Sequence, residues 1–131
     1  MIGIDTNVLV RYLTLDDADQ VERVDRLVQS ALERDDPLHI DGIVLCETAW
    51  VLRTAYDMPR AKVAEALQRI LDTRQFSVEN RDSVRRALDA FVEGRGDFAD
   101  YLIGERNRRA GCRITVTFDQ TLEGSVLFEG L

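Results

Sequence analysis

The chain has 131 residues, of which 45% are hydrophobic and 31% are charged, and its formal net charge is −7. These totals are typical of one globular domain, residues 1–131, and no apolar run approaches the ~20 residues of a membrane span. The first segment is too short and too quickly acidic for a secretory signal, which favours a cytoplasmic protein.

Short apolar strands alternate with amphipathic helices along the whole chain. Strands are predicted at 2–5, 38–40, 76–78 and 113–116, with a frayed fifth at 126–128. Helices are predicted at 6–13, from the aspartates at 16–19 to about 34, at 43–56, at 59–71, from a cap at Asn80 or Asp82 to about 93, and at 97–110. This alternation predicts an α/β/α fold whose central sheet of four or five strands is parallel and covered on both faces.

Acidic residues recur where predicted strands end and on nearby helices. Asp5 and Asp119 each follow a strand, while Glu47 and Asp100 fall on helices, and Asp97 is either a helix cap or a further acid one turn earlier. Ligands of open α/β sheets bind outside the carboxyl ends of the strands. Because grouped carboxylates repel one another, they need protonation or a hard cation such as Mg²⁺ or Mn²⁺. Such a cation predicts phosphodiester hydrolysis by activated water.

Net charge and supporting side chains bear on this hypothesis. A charge of −7 argues against a nucleic-acid partner unless bound cations reverse the local field. Asn7 could hold Asp5 by a hydrogen bond, and Thr117 is placed to support Asp119 in the same way. With 24 Asp and Glu residues in the chain, spacing alone does not single out these acids.

Four segments carry a more specific pattern. They are 5–13 (DTNVLVRYL), 45–52 (LCETAWVL), 97–103 (DFADYLI) and 117–119 (TFD). In this order they resemble the motifs of PIN-domain ribonucleases, particularly the VapC-type toxins of bacterial toxin–antitoxin pairs. The resemblance implies a three-layer α/β/α PIN-like domain with a Mg²⁺-dependent endoribonuclease site, in which Mn²⁺ is a possible substitute. The positions that match its catalytic and metal-binding acids are Asp5, Glu47, Asp100 and Asp119, and those that match supporting positions are Asn7, Asp97 and Thr117.

The resemblance also implies partners: an RNA substrate, a small antitoxin that occupies the acidic groove, and a second copy in a homodimer. Arg11 could pair with an active-site acid, contact substrate phosphate or meet an antitoxin carboxylate, and a plain surface role is equally open. Trp50 and Tyr56 lie on a helical stripe that is interpreted as core or dimer surface.

Other classes of protein also begin with an aspartate after an apolar strand. Haloacid-dehalogenase-like phosphatases and receiver domains need a lysine near their acids, whereas Lys62, the only lysine here, lies in a predicted helix. The first of these classes also resembles Asp-x-Asp, and this chain has Asn7 at the second position. Two alternatives stay open: a non-catalytic PIN-like module that binds protein or RNA, and a related metal-dependent DNA nuclease.

Overall fold

A computed structural model describes all 131 residues as six α-helices and five β-strands. In chain order the elements are β1 (Ile2–Gly3), α1 (Thr6–Thr14), α2 (Ala18–Arg34), β2 (Leu38–Ile40), α3 (Gly42–Thr54), α4 (Arg60–Asp72), β3 (Phe76–Val78), α5 (Arg81–Glu93), α6 (Phe98–Arg109), β4 (Thr115–Thr117), a 3₁₀ turn (Gln120–Leu122) and β5 (Phe128–Gly130). The chain forms two compact units, Met1–Glu79 and Asn80–Leu131. No helix combines the length and the apolar character needed to cross a membrane.

The first unit is built on a three-stranded parallel sheet in the order β1-β2-β3. Leu38 pairs with Ile2 on one side and with Phe76 on the other. Leu38 and Ile40 are buried while His39 between them is half-buried, which is the period-2 pattern of a central strand. Helix α4 is amphipathic, and its buried stripe consists of Val63, Leu67, Ile70 and Leu71.

The second unit contains α5, α6 and the parallel pair β4-β5, in which Thr115 pairs with Phe128. Gly104 of α6 lies against the start of β5, since a Cβ there would come within 3.1 Å of side-chain atoms of Leu127 and Phe128. The structure shows that glycine permits this close approach of helix and strand.

Most predicted elements lie where the pattern placed them, and the differences fall at their ends. Strand β1 is shorter than predicted, although the Ile4 N–H still donates to the His39 carbonyl at 3.0 Å. Strands β4 and β5 begin about two residues later than predicted. Helix α5 is capped at Asn80, in a left-handed conformation with φ of 48° and without a side-chain cap hydrogen bond. The five strands pair in two parallel groups, three in the first unit and two in the second.

Candidate active site

Two of the predicted acids, Asp5 and Glu47, lie in the first unit. Asp5 is the N-cap of α1, and its Oδ1 accepts a hydrogen bond from the Val8 N–H at 3.0 Å. The Thr6 hydroxyl donates to Glu47 Oε1 at 3.1 Å, which ties the start of α1 to the middle of α3. The first unit therefore brings Glu47 to the end of α1 at which Asp5 lies, where the helix dipole favours negative charge.

The hydrogen bond that holds Asp5 differs from the one predicted. Asn7 is exposed and makes no hydrogen bond to Asp5, whose Oδ1 instead accepts the backbone N–H of Val8. Thr6, the first residue of α1, orients Glu47. No local pattern indicates this contact, since the two residues are 41 positions apart.

The second unit holds Asp97, Asp100 and Asp119. Asp97 is the N-cap of α6, and it forms a reciprocal capping box with Asp100, whose Oδ2 accepts the Asp97 N–H at 3.0 Å. Asp97 thus has the geometry of a helix cap, one of the two roles open to it from sequence. The same hydrogen bond fixes Asp100 in the first turn of α6.

Asp119 is fixed by threonines on both sides. Its N–H donates to Thr117 Oγ1 at 3.0 Å, and its Oδ1 accepts the Thr121 hydroxyl at 2.7 Å and the Thr121 N–H at 2.9 Å. The Thr121 hydroxyl and N–H lower the pKa of Asp119, an exposed carboxylate, below its ordinary value, because both donate to its ionised form. Sequence reasoning missed Thr121, although a Thr two residues after an Asp is a common turn pattern.

The predicted quartet is divided evenly between the units, with Asp5 and Glu47 in the first and Asp100 and Asp119 in the second. Neither unit alone groups three or more His, Cys, Asp or Glu side chains as a metal site. The donor chemistry nevertheless fits a hard divalent cation, because the set offers only oxygen ligands. Asp5, Glu47 and Asp119 each use one carboxylate oxygen in the hydrogen bonds described and keep the second without a protein partner.

Arg11 lies in a polar network inside the first unit. Its Nη1 donates to Asp16 Oδ1 and to the Tyr56 hydroxyl, both at 3.0 Å, while its Nε donates to Gln20 Oε1 at 2.6 Å. Tyr56 in turn donates to Asp16 Oδ2 at 2.6 Å. The network joins α1, the start of α2 and the end of α3, so a structural role accounts for Arg11, and any contact with substrate or partner stays a prediction.

Tyr56→Phe is expected to make the stability of the protein less dependent on pH. The hydrogen bond from Tyr56 is the main reason that the pKa of Asp16 lies below its ordinary value. A lowered folded-state pKa adds stability above the unfolded pKa of about 4, and that stability is lost as the pH falls through the folded value. The melting temperature of the variant should therefore lie below wild type at pH 7, and the two should converge toward pH 3.

Tyr12→Phe is the matched control, because Tyr12 packs edge-on against Phe76 with ring centroids 5.1 Å apart and takes no part in this network. It should leave the pH dependence of melting as in wild type. A Tyr56→Phe curve parallel to wild type at every pH would contradict the role given to this hydrogen bond.

Comparison with known proteins shows the family of the chain. The family model for the PIN domain matches residues 2–123, which include the first unit from residue 2, the second unit as far as residue 123, and all four acids. The chain belongs to the PIN domain family, and the predicted fold class is confirmed. A VapC ribonuclease from Aquifex aeolicus (strain VF5) is 24% identical over 115 residues, covering 88% of this chain and 84% of that protein. This similarity agrees with the VapC-type resemblance seen in the motifs.

Proposed function

We propose that the protein is a Mg²⁺-dependent endoribonuclease that acts as the toxin of a toxin–antitoxin pair. The observation that carries the proposal is the way the acids are held. Asp5 and Asp97 are the N-caps of α1 and α6, Asp100 lies in the first turn of α6, and Asp119 precedes the 3₁₀ turn. Backbone N–H groups thus fix these carboxylates at helix starts, and the similarity to a VapC ribonuclease supports RNA as the substrate.

The residues proposed to hold the ion are Asp5, Glu47, Asp100 and Asp119, with Mg²⁺ as the natural occupant and Mn²⁺ as a substitute. A bound ion supplies positive charge that polarises water and the phosphodiester. The Val8 N–H keeps Asp5 at the start of α1, and the Thr6 hydroxyl keeps Glu47 beside it. Thr121 favours the ionised form of Asp119 and limits its rotation. These contacts hold the ligands in place before substrate arrives, so that less ordering is needed on binding.

Removal of divalent ions is expected to abolish RNA cleavage, and added Mg²⁺ or Mn²⁺ should restore it. The reason is that an ionised carboxylate set repels the phosphodiester unless a cation neutralises it. The measurement is cleavage of a single-stranded RNA after dialysis against a chelator, followed by readdition of each ion. Cleavage that persists after complete removal of metal would refute the metal-dependent proposal.

Single-stranded DNA of the same sequence separates the two nuclease hypotheses in the same assay. Preferential cleavage of RNA supports the endoribonuclease, and preferential cleavage of DNA would support the related DNA nuclease instead. If neither is cut with either metal while RNA or a partner protein is bound, the non-catalytic interaction module becomes the better explanation. If RNA is cleaved, cut ends mapped on total cellular RNA would identify the substrate.

An antitoxin partner and a homodimer are part of the same proposal, as is action in the cytoplasm on cellular RNA. Two apolar side chains support a protein partner at α3. Ile43 and Trp50, 64% and 60% exposed, flank Glu47 by about one turn on either side. Trp50 is therefore surface and not core, which leaves the dimer or partner interpretation. A short neighbouring gene for a DNA-binding protein that co-purifies with this chain and inhibits it would identify the antitoxin.

A further inference from the structure

We propose that a cavity beside Asp119 holds one nucleobase of a single-stranded RNA, with Phe118 as the stacking platform and Glu123 as the group that reads the edge of the base. The inference rests on the proposed function, because it assigns a base-recognition site to a chain that cleaves RNA. Every residue involved belongs to the second unit.

The cavity has a volume of about 430 Å³ and is lined by residues from the end of β4, the 3₁₀ turn and β5. This volume falls within the ~300–1,000 Å³ range of small-molecule sites. Asp119 is itself part of the lining. A base bound in the cavity would therefore lie near a residue that is proposed to hold the metal ion.

Phe118 is the feature that points to a base. Its side chain is 82% exposed, the highest value among the large hydrophobic residues of this protein, and its ring makes no contact with another aromatic ring. By contrast Phe128, which also lines the cavity, packs edge-on against Tyr101 with centroids 6.5 Å apart. An exposed aromatic ring at the mouth of a cavity offers the flat apolar surface on which bases of single-stranded RNA stack.

Charge favours a base over a phosphate as the occupant. The lining contains two acids, Asp119 and Glu123, and no lysine or arginine. A phosphate group would be repelled there, whereas the amino and ring N–H groups of a base are donors that a carboxylate accepts. The Glu123 carboxylate forms no hydrogen bond or ion pair within the protein, and Gln120, which is also exposed, lines the same cavity.

The hydrogen-bond donors on the edges of the bases narrow the choice of base further. Guanine presents two adjacent donors on its Watson–Crick edge, the ring N–H and the exocyclic amino group, which match the two oxygens of one carboxylate. Uracil has a single ring N–H between two carbonyl oxygens, and Glu123 would repel those oxygens. The cavity therefore predicts a preference for guanine over uracil at one position next to the cut.

The test uses the full-length chain with Mg²⁺ and a set of RNA oligonucleotides in which each position around the cut is varied through the four bases. Phe118→Leu should raise KM by about tenfold, the effect of losing one base–aromatic stack, and leave kcat within about twofold. Glu123→Gln should reduce the preference for guanine over uracil at one position and leave the other positions unchanged. Melting temperatures should match wild type, because both side chains are exposed.

Val116→Ala is the matched control, since Val116 lies on β4 two residues before Phe118, is 56% exposed and does not line the cavity. Its KM and base pattern should equal those of wild type. If wild type cleaves RNA while Phe118→Leu and Glu123→Gln retain its KM and base pattern, the inference is overturned and the proposed function stands.

If wild type does not cleave RNA, a binding measurement tests the base site independently of the proposed function. Fluorescence anisotropy with the same oligonucleotides is carried out on Asp5→Asn, with and without Glu123→Gln. Tighter binding of the guanine-containing oligonucleotide that is lost with Glu123→Gln would support the base site even if wild type proved not to cleave RNA. Equal binding of all four bases by both proteins would overturn it.

Discussion

Asp5→Asn is expected to lower kcat for RNA cleavage by at least ~10³-fold and to leave the melting temperature unchanged. Asp5 has two roles that this substitution separates. Its Oδ1 caps α1 by accepting the Val8 N–H, and asparagine caps helices as well as aspartate does. The negative charge, in contrast, is lost, and a missing metal ligand removes several kcal/mol of transition-state stabilisation, where ~4 kcal/mol corresponds to ~10³-fold.

Asp17→Asn provides the matched control for charge at a helix cap. Asp17 caps α2 by accepting the Gln20 N–H at 3.0 Å, and nothing places it among the proposed ligands. The kcat of Asp17→Asn should equal that of wild type. Asp5→Ala, which loses the cap as well as the charge, should be less stable by about 1 kcal/mol in addition to being inactive. Undiminished cleavage by Asp5→Asn would remove Asp5 from the catalytic residues.

Local sequence patterns predict the elements of this fold well where the pattern and the packing agree. Strands β2 and β3 lie at the predicted residues, and α1 begins at Thr6 directly after its cap. The predicted and observed residues differ for β5, because its residues Glu129 and Gly130 have little intrinsic preference for strands. They are in a strand because Val116 and Thr117 of β4 pair with them, which is a tertiary contact that no local window contains.

The candidate site was likewise predictable only in part. Motif positions identify the acids and their helix starts, because caps and strand ends have recognisable residues nearby. Their contacts across the sequence were not predictable: Thr6 reaches Glu47, and Arg11 bonds Tyr56, 45 positions away. Such contacts depend on how helices pack, and helix packing depends on many side chains at once. Convergence of the four acids on one ion stays a prediction, which the metal-removal experiment and Asp5→Asn test.

Gly94→Ala is expected to destabilise the protein by about 3 kcal/mol, at the upper end of ordinary overpacking. Gly94 ends α5, and a Cβ at this position would overlap the Tyr101 hydroxyl. The same Cβ would lie 2.8 Å from Tyr101 Cζ and 2.9 Å from the Ala90 carbonyl oxygen. Neither neighbour yields easily, since Tyr101 is 2% exposed and the Ala90 oxygen is backbone. Urea titration of wild type and variant measures the loss.

Gly3→Ala is the control, because a Cβ at Gly3 would meet nothing within 4 Å, and its stability should stay within about 0.5 kcal/mol of wild type. The Gly94 substitution should also lower kcat in the protein that stays folded. Tyr101 follows Asp100 in α6, and its hydroxyl accepts the Gly96 N–H at 3.1 Å, so a displaced ring would shift the turn that fixes Asp100.

A double-mutant cycle with Tyr101→Phe identifies the cause of that loss. Tyr101→Phe alone should destabilise the protein by about 1 kcal/mol, because the Gly96 N–H loses its acceptor. In the double variant the added methyl group no longer meets a hydroxyl, so the combined loss should be smaller than the sum of the two single losses. Strict additivity would contradict the overlap with the Tyr101 hydroxyl and leave Tyr101 Cζ and the Ala90 carbonyl as the groups that exclude a side chain at Gly94.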